Sequence, residues 1–159
     1  MYTRDKVKVV LLFLLISYLA FWLMVDFKII ADSAIAVVGI ALAVYIGTAS
    51  VLLGSPFAQR LKEHRDEQIR TKTSLGVLAG YLRNAGKVGL ATIIVSALFA
   101  ANPDIQPAIH GLQMIGVNPD VVPQVIRVVE AIACGMFAVN LFFIWRILIF
   151  LINSLTKSV

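Results

Sequence analysis

The sequence predicts an all-α membrane protein: four transmembrane helices with both termini in the cytoplasm, a short external interfacial helix and a cytoplasmic helical extension. Three observations lead there. Of the 159 residues, 60% are apolar and 14% are charged, about half the charged fraction of an ordinary soluble domain. The apolar residues gather into four runs, each near the ~20 residues that cross a bilayer. The charges between those runs sort by sign to alternate sides.

The spans fall at about 7–26, 33–54, 82–102 and 128–149. The first follows Arg4, Lys6 and Lys8, runs uncharged from Val9 to Val25 and carries Tyr18 and Trp22 toward its far end, as an interfacial belt does. Its apolar core is longer than the ~7–15 residues of a signal peptide, so it reads as an uncleaved anchor. Ser33 to Gly54 is the second uncharged run, and the tight turn before it predicts that these two helices are antiparallel neighbours. The third must take in Lys87 and Arg83 to reach spanning length, because the uncharged stretch after them ends at Pro103. The fourth opens with Arg127 and Glu130 and carries Arg146 near its far end.

On that layout, one side holds twelve of the basic residues against Asp5, Glu63, Asp66 and Glu67. The other holds Lys28 and Arg127 against Asp26, Asp32, Asp104, Asp120 and Glu130. The positive-inside rule then puts both termini in the cytoplasm of a bacterial inner membrane. It also accounts for the net charge of +5, and no nucleic-acid partner is needed. Four spans leave no room for a separate catalytic domain of ~50 residues.

The hydrophilic stretch 55–73 starts as a helix does, with Ser55 as N-cap and Pro56 in the first turn. Phe57, Leu61 and Ile69 are its apolar anchors and candidates for docking a cytosolic protein partner. Outside, Asn102-Pro103-Asp104 and Asn118-Pro119-Asp120 are turn signals bracketing an apolar segment too short to span, which makes 103–122 an interfacial loop. His110 on that loop is an ordinary interfacial histidine or a group that titrates with external pH.

Small residues recur at spacings of three and four along the second span, at Gly39, Ala43 and Gly47, and again in the third run at Gly76 and Gly80. Such stripes let helix backbones approach closely in lipid. They serve either packing within one bundle or a homo-oligomer interface. Arg83 and Lys87 lie one turn apart on the third span with Asn84 between them. Cations at that depth either snorkel to lipid headgroups or line the inner mouth of a pore, where they would favour anions. Asn84 and Asn140 need hydrogen-bond partners in lipid, and interhelical bonds would supply them.

No residues assemble into an enzyme. Cys134 has no histidine near it in sequence, His64 and His110 fall on opposite sides, and there is no Walker motif or dinucleotide fingerprint. No catalytic residue, metal ligand or cofactor is expected.

The small-rich second span ending in Leu53-Gly54-Ser55, followed by Arg60-Leu61-Lys62 at the head of a basic loop and then a third span, resembles the four-span phage-exclusion membrane proteins of the RexB type. It is similar, less closely, to the membrane component of the Kiwa defence system. The likeness covers at most the middle 60 residues. It implies an inner-membrane protein that permits ion leakage or senses membrane disturbance during phage infection. The expected function is therefore an oligomeric ion channel or membrane sensor in phage defence, with membrane lipids and a cytosolic protein as partners. An accessory subunit of a larger membrane complex is the alternative, and a holin-like lysis protein a third reading.

Overall fold

The computed structural model describes residues 2–53, 55, 59, 62–63, 73–101, 114 and 121–156. Four long helices run through them: α1 (Thr3–Trp22), α2 (Lys28–Leu53), α3 (Ser74–Ala101) and α4 (Val122–Thr156). Three of these are long and apolar enough to cross a membrane, over Lys28–Ser50, Ser74–Ala101 and Val122–Asn153. The chain is thus all-helical in its described part, and the three helices point to a multi-pass membrane protein. In α1 the helical part of the apolar run is only Val9 to Trp22, about 21 Å at about 1.5 Å per residue. The expected cytoplasmic extension at 55–73, with Phe57, Leu61 and Ile69, and the expected interfacial loop at 103–122, with His110, lie almost wholly outside the described residues.

Local chemistry sets the helix ends. α1 stops in a Schellman motif: Met24 N–H donates to Phe21 C=O, and Val25 N–H donates to Ala20 C=O. Met24 takes the left-handed conformation the motif requires, at φ 54°. The helix therefore ends short of the expected boundary at residue 26. Asp26 Oδ1 accepts from Lys28 N–H at 3.0 Å and starts α2 earlier than its uncharged run begins. Thr73 caps α3, its Oγ1 accepting from Gly76 N–H at 3.2 Å. From there α3 is unbroken past Arg83 and Lys87. Pro123, which needs no N–H partner, sits in the first turn of α4.

α1 packs along α4, α2 along α3, and α3 along α4. The expectation that α1 and α2 pair along their lengths is corrected: the main partner of α1 is α4. Gly135 is one reason, because it leaves a flat spot on α4 that receives Ser17 and Phe13 of α1; a Cβ there would collide with Ser17 Oγ and stand 2.9 Å from Phe13 Cδ2. The buried residues form two clusters, one toward each end. Tyr45, Tyr81, Val139, Phe143 and Ile147 lie in the first, and Phe27, Ala31, Ala34, Ala131, Ala133 and Cys134 in the second. Phe27 is fully buried and meets Phe99 edge to face, ring centroids 5.6 Å apart, which pins the α1–α2 turn to the end of α3.

Much of the interior is alanine and glycine, while Leu11, Leu14, Leu15, Ile40, Ile46, Leu90, Ile94, Leu98, Trp145 and Leu148 face outward. In water this arrangement would expose apolar area far beyond the few hundred Å² a soluble monomer tolerates. In lipid it is the favourable one, since close backbone packing holds helices together there.

Candidate functional site

The densest polar constellation joins three helices at the end where α1 begins and α4 nears its finish. Asp5 sits in the first turn of α1, where the helix dipole favours a carboxylate. It is buried, and its Oδ2 accepts from Tyr81 Oη of α3 and from Arg146 Nε of α4, the latter at 2.6 Å. Tyr81 Oη in turn accepts from Tyr2 N–H at 3.3 Å, which satisfies one of the orphan donors at the α1 N-terminus. Tyr2 lies edge-on to Tyr81, and its own face meets the Arg146 guanidinium at 5.7 Å from the centroid. The carboxylate is neutralised and hydrogen-bonded in place. It is a fastener between α1, α3 and α4 and not a free acid.

A second polar pair lies deeper, between α3 and α4. Asn140 Nδ2 donates to Thr92 Oγ1 at 2.7 Å and to Met136 C=O at 3.0 Å, and Thr92 Oγ1 donates to Val88 C=O at 2.8 Å. Gly89 makes room for it: a Cβ there would stand 3.3 Å from Asn140 Oδ1 and 3.0 Å from Leu42 Cδ2. Ser17 Oγ, Tyr45 Oη and Ser96 Oγ are buried without a hydrogen bond among the described residues. Cys134 is buried, and no three His, Cys, Asp or Glu side chains among the described residues are placed to share a metal ion.

The residues singled out from sequence take other places. Gly39 is half-buried while Ala43 and Gly47 are exposed, and a Cβ on Gly39 or Gly47 would meet nothing within 4 Å. Among the described residues, nothing packs within 4 Å of a Cβ at either glycine of this stripe. Gly76 is exposed and touches only its own cap residue Thr73, and Gly80 is half-buried. Arg83 and Lys87 are exposed on the same side of α3 as Leu90, Ile94 and Leu98, with half-buried Asn84 between them. The glycines at which a Cβ would press on a neighbouring helix are Gly89, which the spacing with Gly86 also marks, and Gly135. Sequence reasoning missed Asp5, Tyr81 and Arg146 as a unit, although it placed Asp5 and Arg146 on the same side of the membrane; an acid within a basic N-terminal segment was the available signal.

No protein-family model matches this chain, and neither a curated protein nor a solved structure is significantly similar to it.

Proposed function

We propose that the chain is a four-span protein of the bacterial inner membrane, with both termini cytoplasmic, that works as a homo-oligomer. In this reading it passes ions or registers membrane disturbance in the manner of the phage-exclusion proteins it resembles, together with a cytosolic partner, and has no enzymatic activity. The observation that carries the reading is the open stripe at Gly39, Ala43 and Gly47, where a second helix backbone can approach without displacing any side chain. The buried Asp5–Arg146 pair supports α1 as the fourth span. With its one acid neutralised at the end of the helix, the helical stretch from Asp5 to Trp22 rises about 26 Å, close to the ~30 Å of the hydrocarbon core.

The test is the mass of the detergent-solubilised protein, read beside its effect on phage plating and membrane potential in expressing cells. Gly39→Leu with Gly47→Leu should reduce the oligomer to monomer, abolish phage exclusion and leave insertion intact. A wild-type monomer that co-purifies with another membrane protein would favour the accessory-subunit reading, because the same open stripe would then be filled by a different chain.

A further inference from the structure

We infer that α1 is a hinged arm, pivoting about its turn into α2 and held closed on α4 by the Asp5–Tyr81–Arg146 junction, while α2, α3 and α4 form a bundle that stands without it. α1 buries only Asp5 and Ala20 of its 20 residues, whereas α3 buries seven. It packs along α4 and along no other helix, although α2 follows it directly in the chain. The two buried clusters are built from α2, α3, α4 and Phe27 of the turn, and Ala20 is the one buried residue that α1 adds to them.

The two ends of α1 are held by different means. At the outer end Phe27, fully buried against Phe99, pins the turn, and Ala20 lies in the same cluster. The other end is held by polar bonds: the hydrogen bonds from α1 to other helices come from Tyr2 and Asp5, at its start. Farther along the same contact, Ser17 Oγ is buried against Gly135 and makes none among the described residues. Lipid makes this arrangement movable. Val9, Leu12, Phe13 and Ile16, half-buried on α1, lose no hydrophobic stabilisation on leaving the bundle, because acyl chains replace it. Close packing at Gly135 and the polar junction are what remain to hold the arm. In the four-span reading, on which this inference rests, the junction lies at the cytoplasmic boundary. Asp5, Tyr81 and Arg146 therefore meet headgroups and water when it opens, and no charge is left in hydrocarbon. Asp5 to Trp22 rises about 26 Å, so a swing of about 20°, within the tilts of membrane helices, carries the Asp5 end about 9 Å from α4.

Double electron–electron resonance on the full chain, in vesicles of phosphatidylethanolamine and phosphatidylglycerol, tests the arm. In a Cys134→Ala background, spin-labelled cysteines replace exposed residues in three pairs: Val7 with Leu148 at the junction end, Leu19 with Val128 at the pivot, and Val44 with Leu141 between α2 and α4. Arg146→Met strands the Asp5 carboxylate in the closed form, so it should lengthen the first distance by about 5–10 Å and leave the other two unchanged. Adding Asp5→Asn should shorten the first distance again, since no charge is then stranded. An unchanged first distance in Arg146→Met, no return in the double variant, or a shift of the second or third pair would overturn the inference; the last result would make α1 an inseparable part of one fold. A label at Leu14 that a water-soluble nickel reagent reaches in the wild type would take α1 out of the hydrocarbon, removing the four-span reading and this inference with it. A shielded label on an arm that does not move removes this inference alone.

Discussion

Arg146→Met should destabilise the fold more than Asp5→Asn, although both remove the same ion pair. The asymmetry comes from burial: the Asp5 side chain is 4% exposed and that of Arg146 is 27% exposed. Without Arg146, a carboxylate is left in a low-dielectric setting with Tyr81 as its remaining side-chain partner, a loss of about 3–5 kcal/mol. Without the Asp5 charge, the guanidinium can turn toward headgroups while the amide oxygen of the substituted side chain still accepts from Tyr81. The cost is then about 1–2 kcal/mol, the low end for a charged hydrogen bond because water reaches the cation. The double variant should fall short of the summed losses by about 1–3 kcal/mol, since removing both partners strands neither. Reversible unfolding in mixed micelles, titrated with SDS, measures all three differences. An Asp5→Asn loss equal to or larger than the Arg146→Met loss, or strict additivity in the double variant, would refute the view that a buried carboxylate is what the junction protects.

The other packing features give further expectations on the same assay. Gly135→Ala should cost about 1–3 kcal/mol by pushing Ser17 and Phe13 of α1 off α4, whereas Gly39→Ala, at an open position, should stay within about 0.5 kcal/mol. Asn140→Leu and Thr92→Val should show a coupling of about 0.6 kcal/mol, and no more than about 1.7, the range for interhelical hydrogen bonds in lipid. Phe27→Ala should cost about 3–5 kcal/mol, because a fully buried ring packed edge to face against Phe99 leaves a cavity that the α1–α2 turn cannot close.

Helix class was legible because it depends on composition and run length, which are local properties. The long apolar runs at 33–54 and 128–149 needed nothing from the rest of the chain, and they lie within α2 and α4, apart from Gly54, which is outside the described residues. The end of α1 was not legible. A left-handed residue after a helix is ordinarily signalled by glycine, and here Met24 fills that position. The pairing of helices was also hidden. Chain proximity suggested α1 against α2, but α1 is held to α4 by Gly135 and by an ion pair between residues 141 apart in sequence. A glycine stripe looks the same in a sequence whether it faces a neighbour or open space. Gly39, Gly47 and Gly86 follow the recognisable spacing and stand open, while Gly89, three residues after Gly86, and Gly135 make the close approaches. That Asn140 needs a partner follows from its place in an apolar run, but Thr92 could not have been named without the register of α3 against α4.

In the proposed topology α1 crosses the membrane as a fourth span, anchored at its cytoplasmic end by Asp5 and Arg146, and cysteine accessibility tests that crossing. In a Cys134→Ala background, single cysteines replace Thr3 and Leu23, which are exposed at the two ends of α1, and Ser158 near the C-terminus. A membrane-impermeant maleimide added to intact spheroplasts should label position 23 and leave positions 3 and 158 unlabelled until the cells are opened. Labelling of positions 3 and 23 from the same side would place α1 flat on one surface and contradict the four-span account.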